Sequence, residues 1–476
     1  MDSNEAARAQ AEKAAFDLPG PGLAGQSSDP AREIAPRQRG AAEQREQEVR
    51  HRHAATSHGT KGGAMASAQV LSPRSIGPRP ARATGRRRAG DPTFGEVTLT
   101  RASVATTIGR HMSSPASVHV PRRRVAVIGA TGVAGQQFIA ALQNHPWFEI
   151  AALAASARSA GRSSGEALRD SNSGAMRWYC DEAPNPAVLA LPVQNAAAID
   201  PESADVFFAA VESDAAREIE PRLAAHRPVF STASAFRGEA DVPIAVPGVN
   251  LDHLALVEVQ RRRRGWKGFV VPLPNCTTMG MVVTLRPLAD AFGLRRVIMT
   301  SMQGLSGAGR SPGVAALDVL DNIIPFISGE EEKVAWETGK ILGRVAGESI
   351  AHHPVVVSAT CTRANVREGH TETVTVELER SADLAAIREA MAAFGSELCA
   401  RGLPSAPEHL IEIHDDPYRP QPRLDREAGG GMTTSVGRLR LDAIGLRYVL
   451  VSHNTKMGAA KGAVLVAETM AADGVL

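Results

Sequence analysis

The chain has 476 residues, with 53 lysines and arginines against 51 aspartates and glutamates, so its formal net charge is only +2. This balance predicts no nucleic-acid partner and no membrane-surface partner. The four cysteines, at positions 180, 276, 361 and 399, are far apart and form no Cys-x-x-Cys pair. Their spacing argues against a metal site or a disulfide framework and favours a reducing compartment. No apolar run reaches membrane-spanning length, so we expect a cytoplasmic protein.

Residues 1–118 differ in composition from the rest of the chain. They are rich in alanine, arginine, glycine, proline and serine and contain almost no aromatic residues. Such a segment cannot bury a core, so we predict a disordered basic extension. Met112, shortly before the first core strand, is an alternative start.

The first motif of the folded part is a glycine turn. The apolar run 124–128 predicts a buried strand, residues 129–135 contain Gly129, Gly132 and Gly135, and an amphipathic stretch follows. A strand, a glycine turn and a helix in this order are typical of a dinucleotide site, where backbone approaches a pyrophosphate at the helix N-terminus. A tight turn without a ligand is the alternative interpretation.

The next strand indicates which dinucleotide would bind. Residues 148–155 predict a second buried strand, which is followed by Ser156, Ala157, Arg158 and Ser159 instead of an acidic residue. An acid there would bind the ribose 2′-hydroxyl of NAD, whereas a cation beside hydroxyls suits a 2′-phosphate. We therefore expect NADP. Further apolar runs at 205–211 and 228–231 extend the pattern of a parallel sheet.

Cys276 is the candidate nucleophile. It stands between the apolar run 269–273 and a helix-like stretch at 279–285, which places its thiol at a helix N-terminus. There the helix dipole and free N–H groups favour the thiolate and could stabilise an oxyanion. A small buried apolar residue is the other interpretation of a free cysteine.

Three further segments carry polar groups suited to a site. Glycines cluster in residues 303–309, an acidic and basic run occupies 329–333, and Arg363 precedes His370 by seven positions. A histidine at a strand start could act as an acid or base, and a nearby arginine could bind a carboxylate.

Together these segments resemble the aspartate-β-semialdehyde dehydrogenase family, in particular its archaeal and fungal branch, over about residues 122–472. The resemblance rests on several ordered blocks: 129–132, 155–161, 274–278, 303–309, 321–325 with 329–333, 369–372, 420–426 and 454–455. The family is expected to reduce L-4-aspartyl phosphate to L-aspartate-4-semialdehyde with NADPH, reversibly, in the biosynthesis of lysine, threonine and methionine.

The resemblance also implies residue roles. Cys276 would be the nucleophile, His370 the acid–base, and Gln303 would orient the substrate. The expected substrate-binding residues are Arg363 for the α-carboxylate, Glu330 for the α-amino group, and Lys333, Arg237 and Asn275 for the phosphate. The expected NADP-binding residues are Gly129, Thr131, Gly132, Val133, Ser156, Arg158, Ser159, Ser306, Gly307 and Asn454.

Two departures from the family pattern concern geometry near these groups. Thr232 replaces an asparagine and Gly248 replaces a glutamate. Neither removes a catalytic group, but both leave the fine geometry of cofactor and substrate open.

The predicted fold is α/β: a Rossmann-type parallel sheet domain plus an α/β catalytic and dimerisation domain, after the disordered extension. We place the NADP-binding domain at 119–276, completed by a C-terminal helix at 456–476, and the catalytic domain at 277–455. A homodimer or a dimer of dimers is expected from the resemblance. Two alternatives stay open, an acyl-CoA reductase of the malonyl-CoA type with the same fold and a non-catalytic paralogue.

Overall fold

The structure, a computed structural model, describes residues 121–309 and 313–476. The predictions for residues 1–118, including the start at Met112, lie outside the described residues. Within this part the chain forms two six-stranded sheets and one short hairpin, which confirms the α/β class. No helix of the described residues is long and apolar enough to cross a membrane.

The first sheet is parallel throughout, with strand order β3-β2-β1-β4-β5-β6. Its strands are β1 (Arg123–Ile128), β2 (Phe148–Ala155), β3 (Val193–Asn195), β4 (Val206–Ala209), β5 (Val229–Ser231) and β6 (Val270–Pro272). Alternate residues of β1 enter two separate cores: Val125 and Val127 one, Ala126 and Ile128 the other. The sheet is therefore buried on both faces, which explains its continuous apolar runs. The short strand β3 has no counterpart among the predicted elements.

Five helices connect these strands. They are α1 (Val133–Leu142), α2 (Ser164–Ala167), α3 (Pro186–Ala190), α4 (Ser213–Ala224) and α5 (Leu256–Arg264). Because parallel strands need crossover connections, each strand re-enters the sheet in the same direction and the carboxyl ends meet at one edge.

The second sheet is mixed, with strand order β10-β7-β11-β14-β13-β12. Its strands are β7 (Leu294–Gln303), β10 (Val356–Arg363), β11 (His370–Leu378), β12 (Ile411–His414), β13 (Thr434–Asp442) and β14 (Gly445–Ser452), and the hairpin is β8 (Arg344–Ala346) with β9 (Ser349–Ala351). The remaining helices are α6 (Cys276–Phe292), α7 (Ala316–Val319), α8 (Glu330–Ile341), α9 (Leu384–Ala393), α10 (Ser396–Cys399), α11 (Pro422–Asp425) and α12 (Ala460–Ala472). Helix α6 packs on this sheet, and α12 packs against α1 and β5 beside the first sheet. The domain boundaries themselves stay a prediction.

Strand register explains how distant positions meet. Strands β7 and β10 run parallel and end together, with Gln303 paired to Arg363. Strand β11 runs antiparallel to β7, so His370 at its start lies beside the end of β7. Three polar side chains from separate segments thus reach one end of the second sheet, next to the helix that begins at Cys276.

Candidate active site

A cleft of about 610 Å³ opens at the carboxyl edge of the first sheet. The segments that follow β1, β4, β5 and β6 line it, as expected for adjacent parallel strands. It contains these predicted site residues: Thr131, Gly132, Val133, Arg158, Arg237, Asn275, Cys276, Ser306, Gly307, Lys333 and Asn454. Seven of the ten predicted cofactor residues therefore share one cleft with the candidate nucleophile.

The glycine turn after β1 fits a pyrophosphate. Gly132 is the N-cap of α1, and no side chain in the part of the chain that the structure describes caps that helix end, which leaves its N–H groups to a ligand. A Cβ on Gly135 would stand 2.0 Å from the carbonyl oxygen of Gly129, so only glycine lets the turn close. Gly129 packs in the same way, since its Cβ would meet the oxygen of Ala210 at 2.1 Å. Gly129 therefore shapes the turn but does not line the cleft.

The segment after β2 fits the extra phosphate of NADP only at its arginine. Arg158 is exposed and lines the cleft. Ser156 is exposed and Ser159 is buried, and the Ser159 N–H donates to the Ser156 carbonyl at 2.9 Å. Neither serine lines the cleft, so the two hydroxyls expected beside the 2′-phosphate are not both brought to it.

Helix α6 begins at Cys276, as its predicted place at a helix N-terminus requires. The Asn275 side-chain oxygen accepts hydrogen bonds from the N–H groups of Thr277 (2.8 Å) and Thr278 (3.4 Å). This N-cap fixes the first turn of the helix. The Cys276 Sγ then lies 3.1 Å from Nε2 of His370. The sequence-predicted nucleophile and acid–base are in direct contact.

His370 is held in one tautomer. The Gly304 N–H donates to Nδ1 at 3.1 Å, so the neutral ring carries its proton on Nε2, facing the sulfur. Burial, the Arg363 guanidinium and His453 lower the pKa of His370 to about 3. At neutral pH the ring is therefore an uncharged donor toward Cys276.

The expected preference for the thiolate is wrong for the protein by itself. Burial, reinforced by the Glu330 carboxylate, raises the pKa of the Cys276 thiol to about 12. Arg363, Arg237 and the Thr277 N–H act in the opposite direction but do not prevail. The helix N-terminus is present, yet desolvation of the charged form outweighs it.

Arg363, Gln303 and Glu330 form a hydrogen-bonded row behind the nucleophile. Arg363 donates through Nη1 to the Gly304 carbonyl (2.9 Å) and to Gln303 Oε1 (3.4 Å). Gln303 donates through Nε2 to Glu330 Oε1 (3.3 Å) and to Ser301 Oγ (3.2 Å). Its amide therefore holds a cation on one side and an anion on the other.

The three residues predicted to bind phosphate converge on the cleft. Arg237 is buried and Lys333 is exposed, and both line the cleft beside Asn275. The Asn275 amide is already engaged, because Nδ2 donates to Glu330 Oε1 at 2.7 Å. Two cations close to the nucleophile suit a phosphate oxyanion.

Asn454 links the cleft to the segment that carries His370, the candidate acid–base. Its Oδ1 accepts from the Gly369 N–H, next to His370, and its Nδ2 donates to Ser306 Oγ, both at 2.8 Å. Asn454 and Ser306 both line the cleft. A ligand that contacts Asn454 and Ser306 would therefore also act on the position of Gly369, next to His370.

The two departures have different consequences. Thr232 lines the cleft, and its carbonyl accepts from Arg237 Nη2 at 2.8 Å, a contact that any residue at this position supplies through its backbone. Gly248 does not line the cleft: it has φ +74° and packs under Leu410, whose Cδ1 would be 2.4 Å from an added Cβ. A glutamate at position 248 would be strained in this fold, so its loss is a local packing feature.

Two residues of the site carry no role in the sequence prediction. Gly304 fixes the His370 tautomer through its backbone N–H. A backbone contact of this kind cannot be predicted from a pattern of side chains. Glu337 accepts from Arg237 and from the Asn275 N–H. The sequence could have indicated Glu337, because it follows Glu330 by seven residues and so lies on the same helical face.

The chain is similar to known proteins over about three quarters of its length. The family descriptions "Semialdehyde dehydrogenase, NAD binding domain" and "Semialdehyde dehydrogenase, dimerisation domain" match residues 124–257 and 285–457. The aspartate-semialdehyde dehydrogenase of Archaeoglobus fulgidus is 47% identical over 354 residues, 73% of this chain and 98% of the relative. The chain belongs to the aspartate-semialdehyde dehydrogenase family.

Solved structures of the same family agree. The aspartate-semialdehyde dehydrogenase of Candida albicans, crystallised with NADP, matches with a TM-score of 0.66 and 36% identity over 74% of this chain and all of the other. Aspartate-semialdehyde dehydrogenase II from Vibrio cholerae matches with a TM-score of 0.57 and 27% identity over 74% and 99%. The predicted family, oxidoreductase class and NADP cofactor are confirmed, and the match to a dimerisation domain supports association of chains.

Proposed function

We propose that this aspartate-semialdehyde dehydrogenase works through a thioester on Cys276, interconverting L-4-aspartyl phosphate and L-aspartate-4-semialdehyde. The observation that carries the proposal is the 3.1 Å contact between His370 Nε2 and Cys276 Sγ. Cys276 lines a cleft together with two cations, Arg237 and Lys333, and with the glycine turn. The family membership supplies the substrate class.

The amino-acid part of the substrate is bound by opposite charges. Arg363 keeps part of its guanidinium fork free for the α-carboxylate, since among the described residues only its Nη1 makes side-chain hydrogen bonds. Glu330 offers the α-amino group a carboxylate. Gln303 bonds to both and fixes their separation, so the reacting carbon is placed over the sulfur.

The covalent step balances without a net proton on His370. Sulfur attacks the acyl carbon and the bond to phosphate breaks, while the thiol proton leaves with the phosphate. NADPH, when bound, would supply the hydride that reduces the thioester carbon. The resulting oxyanion faces the N–H at Nε2 of His370; it then re-forms the carbonyl as sulfur departs as thiolate, which takes a proton from solvent to restore the thiol.

His370 therefore serves mainly by holding a proton where negative charge develops. Its Nε2–H stabilises first the thiolate and then the oxyanion, and the Gly304 N–H keeps that proton on the side of the sulfur. In the oxidative direction the thiol loses its proton to solvent as sulfur adds to the aldehyde, and Nε2–H of His370 donates a hydrogen bond to the thiohemiacetal oxyanion.

NADP fits the cleft by its chemistry. The uncapped N-terminus of α1 at Gly132 would take the pyrophosphate, and Arg158 would take the 2′-phosphate. Asn454 and Ser306 would close the nicotinamide side. These assignments form part of the proposal.

Association and location complete it. We propose a homodimer, or a dimer of such dimers, formed through the second sheet's domain, because the matching family description is a dimerisation domain. Four free thiols support a reducing, cytoplasmic setting.

The deciding experiment measures NADPH formation from L-aspartate-4-semialdehyde with and without phosphate, for the wild type and for Cys276→Ala. We expect phosphate-dependent NADPH in the wild type and a loss of about 10⁴-fold or more in the variant. Coenzyme A in place of phosphate tests the acyl-CoA reductase alternative. A signal that persists in Cys276→Ala, or that needs coenzyme A and not phosphate, would overturn the proposal.

A further inference from the structure

Glu337 is a buried carboxylate that joins two parts of the site. It lies on α8, is 1% exposed, and uses its two oxygens on different partners. Oε1 accepts from Arg237 Nη1 at 2.8 Å, and Oε2 accepts from the backbone N–H of Asn275 at 2.6 Å. One side chain thus bridges the proposed phosphate arginine and the residue that precedes the nucleophile.

The same helix also holds the backbone of Arg237. Lys340, three residues further along α8 and 2% exposed, donates through Nζ to the carbonyls of Arg237 and Glu239, each at 2.7 Å. Residues at i and i+3 share a helix face, so Glu337 and Lys340 approach this loop together. Helix α8 therefore fixes both the chain and the guanidinium of Arg237.

The arginine is held but not saturated. Nη1 is taken by Glu337 and Nη2 by the Thr232 carbonyl, whereas Nε has no partner among the described residues although it is buried. A buried N–H without a partner is costly. Arg237 lines the cleft, where a phosphate oxygen, opposite in charge to the guanidinium, is a suitable acceptor. The orientation of this group toward the cleft depends on the two fixed contacts.

We propose that Glu337 is a positioning residue that sets the place of Arg237 relative to Cys276, and through it the affinity of the site for phosphate. This rests on the proposed function. Glu337 touches neither substrate nor cofactor in this assignment: it acts by holding the arginine side chain and the start of α6 at a fixed separation. Its loss should weaken the binding of phosphate and leave the recognition of the aldehyde, which depends on Arg363 and Glu330, unchanged.

Glu337→Gln is the principal test. Glutamine keeps the size but offers one acceptor oxygen, so it cannot serve both the arginine and the Asn275 N–H. In the oxidative direction we expect the KM for phosphate to rise about tenfold or more, with the KM for semialdehyde and for NADP within about twofold. Glu332→Gln is the matched control, because Glu332 is an exposed acid on the same helix.

A double-mutant cycle separates positioning from general loosening. If Glu337 acts through Arg237, Glu337→Gln adds little to the phosphate KM once Arg237→Ala is present. Independent, multiplying effects would overturn the proposal, as would an unchanged phosphate KM in folded Glu337→Gln. If Glu337→Gln does not fold, Glu337→Asp, which keeps the charge and withdraws it by one methylene, takes its place: a raised phosphate KM supports the proposal and an unchanged one overturns it.

A binding measurement keeps the two proposals apart. Titration calorimetry with inorganic phosphate and NADP reports on Arg237 without turnover. Weaker phosphate binding in Glu337→Gln supports the positioning role even if the wild type forms no NADPH from semialdehyde, a result that would reject the proposed function alone. Equal phosphate binding in the wild type and the variant would reject the positioning role alone.

Discussion

The two parts of the candidate site, the buried polar side chains beside Cys276 and the cleft that would hold the cofactor, are built differently. On the chemical side Gln303, Arg363 and His370 lie at strand ends, are at most 6% exposed, and are each fixed by hydrogen bonds to neighbours. On the cofactor side the group that would select NADP, Arg158, is exposed on a turn. The fold thus fixes the groups proposed for the chemistry in advance, whereas the group proposed to select the dinucleotide is a side chain that the fold constrains little.

The substitution His370→Asn tests the buried part of the site and should have the largest effect. If the chemical side is preset around the Nε2 proton, the variant should lose about 10²–10⁴-fold in kcat with little change in KM, since binding groups stay in place. Steady-state rates with semialdehyde, phosphate and NADP provide the measurement. His409→Asn, at an exposed histidine, is the control. Retention of activity within a few-fold would show that the histidine is only a packing partner of the sulfur.

The pH dependence of the thiol tests the electrostatics of the same side. Because the pKa of Cys276 is raised to about 12, the thiolate fraction at neutral pH is small and grows with pH. We expect the rate of alkylation by iodoacetamide to rise about tenfold per pH unit between about pH 6 and pH 9. His370, with a pKa lowered to about 3, should add no inflection in this range.

The matched control is Cys276→Ala, which reports alkylation of the other thiols. Burial also raises the pKa of Cys180 and Cys361 to about 12, so their contribution should be slow. A plateau in the wild-type rate near pH 7 would mean a thiolate–imidazolium pair and would contradict the neutral-histidine assignment.

Much of the first sheet could be predicted from local sequence patterns. The apolar runs predicted β1, β2, β4 and β5, and the change from the apolar run 269–273 to the helix-like stretch 279–285 placed Cys276 at a helix start, because such patterns are properties of neighbouring residues. Strand β3 reads Val-Gln-Asn, so no apolar run marks it in the sequence. Pairing of Gln303 with Arg363 needed the register of the second sheet, which a single sequence does not state.

The direction of the Cys276 pKa shift could not be predicted from the sequence. The helix N-terminus was visible in the chain, but the burial of the sulfur and the approach of Glu330 come from tertiary packing of α6 and α8. The Glu337 bridge likewise joins α8 to positions 100 and 62 residues earlier. The resemblance to a family supplied the roles of Arg363 and Glu330, which the residues alone left open.

Arg363→Lys sharpens the comparison on the chemical side at a smaller scale. Lysine keeps the charge but loses the fork that serves both the Gly304 carbonyl and a carboxylate. We expect the KM for semialdehyde to rise about 10–100-fold, the range for a charged hydrogen bond, with the KM for phosphate unchanged. Arg295→Lys, at an exposed arginine on β7, should behave as the wild type. An equal rise in both KM values would instead indicate collapse of the Gln303 row.

The smallest expected effect is on the cofactor side. Arg158→Ala removes an exposed cation, so its contact with a 2′-phosphate should contribute about 1 kcal/mol and raise the KM for NADPH about fivefold. The KM for NADH, which has no 2′-phosphate, should stay the same, and kcat should not change. Arg169→Ala, at an exposed arginine on the following segment that does not line the cleft, is the control. A fall in kcat with Arg158→Ala would mean that the exposed turn affects the buried residues Gln303, Arg363 and His370. The site could then not be divided into a buried part that the fold fixes and an exposed part that it leaves adaptable.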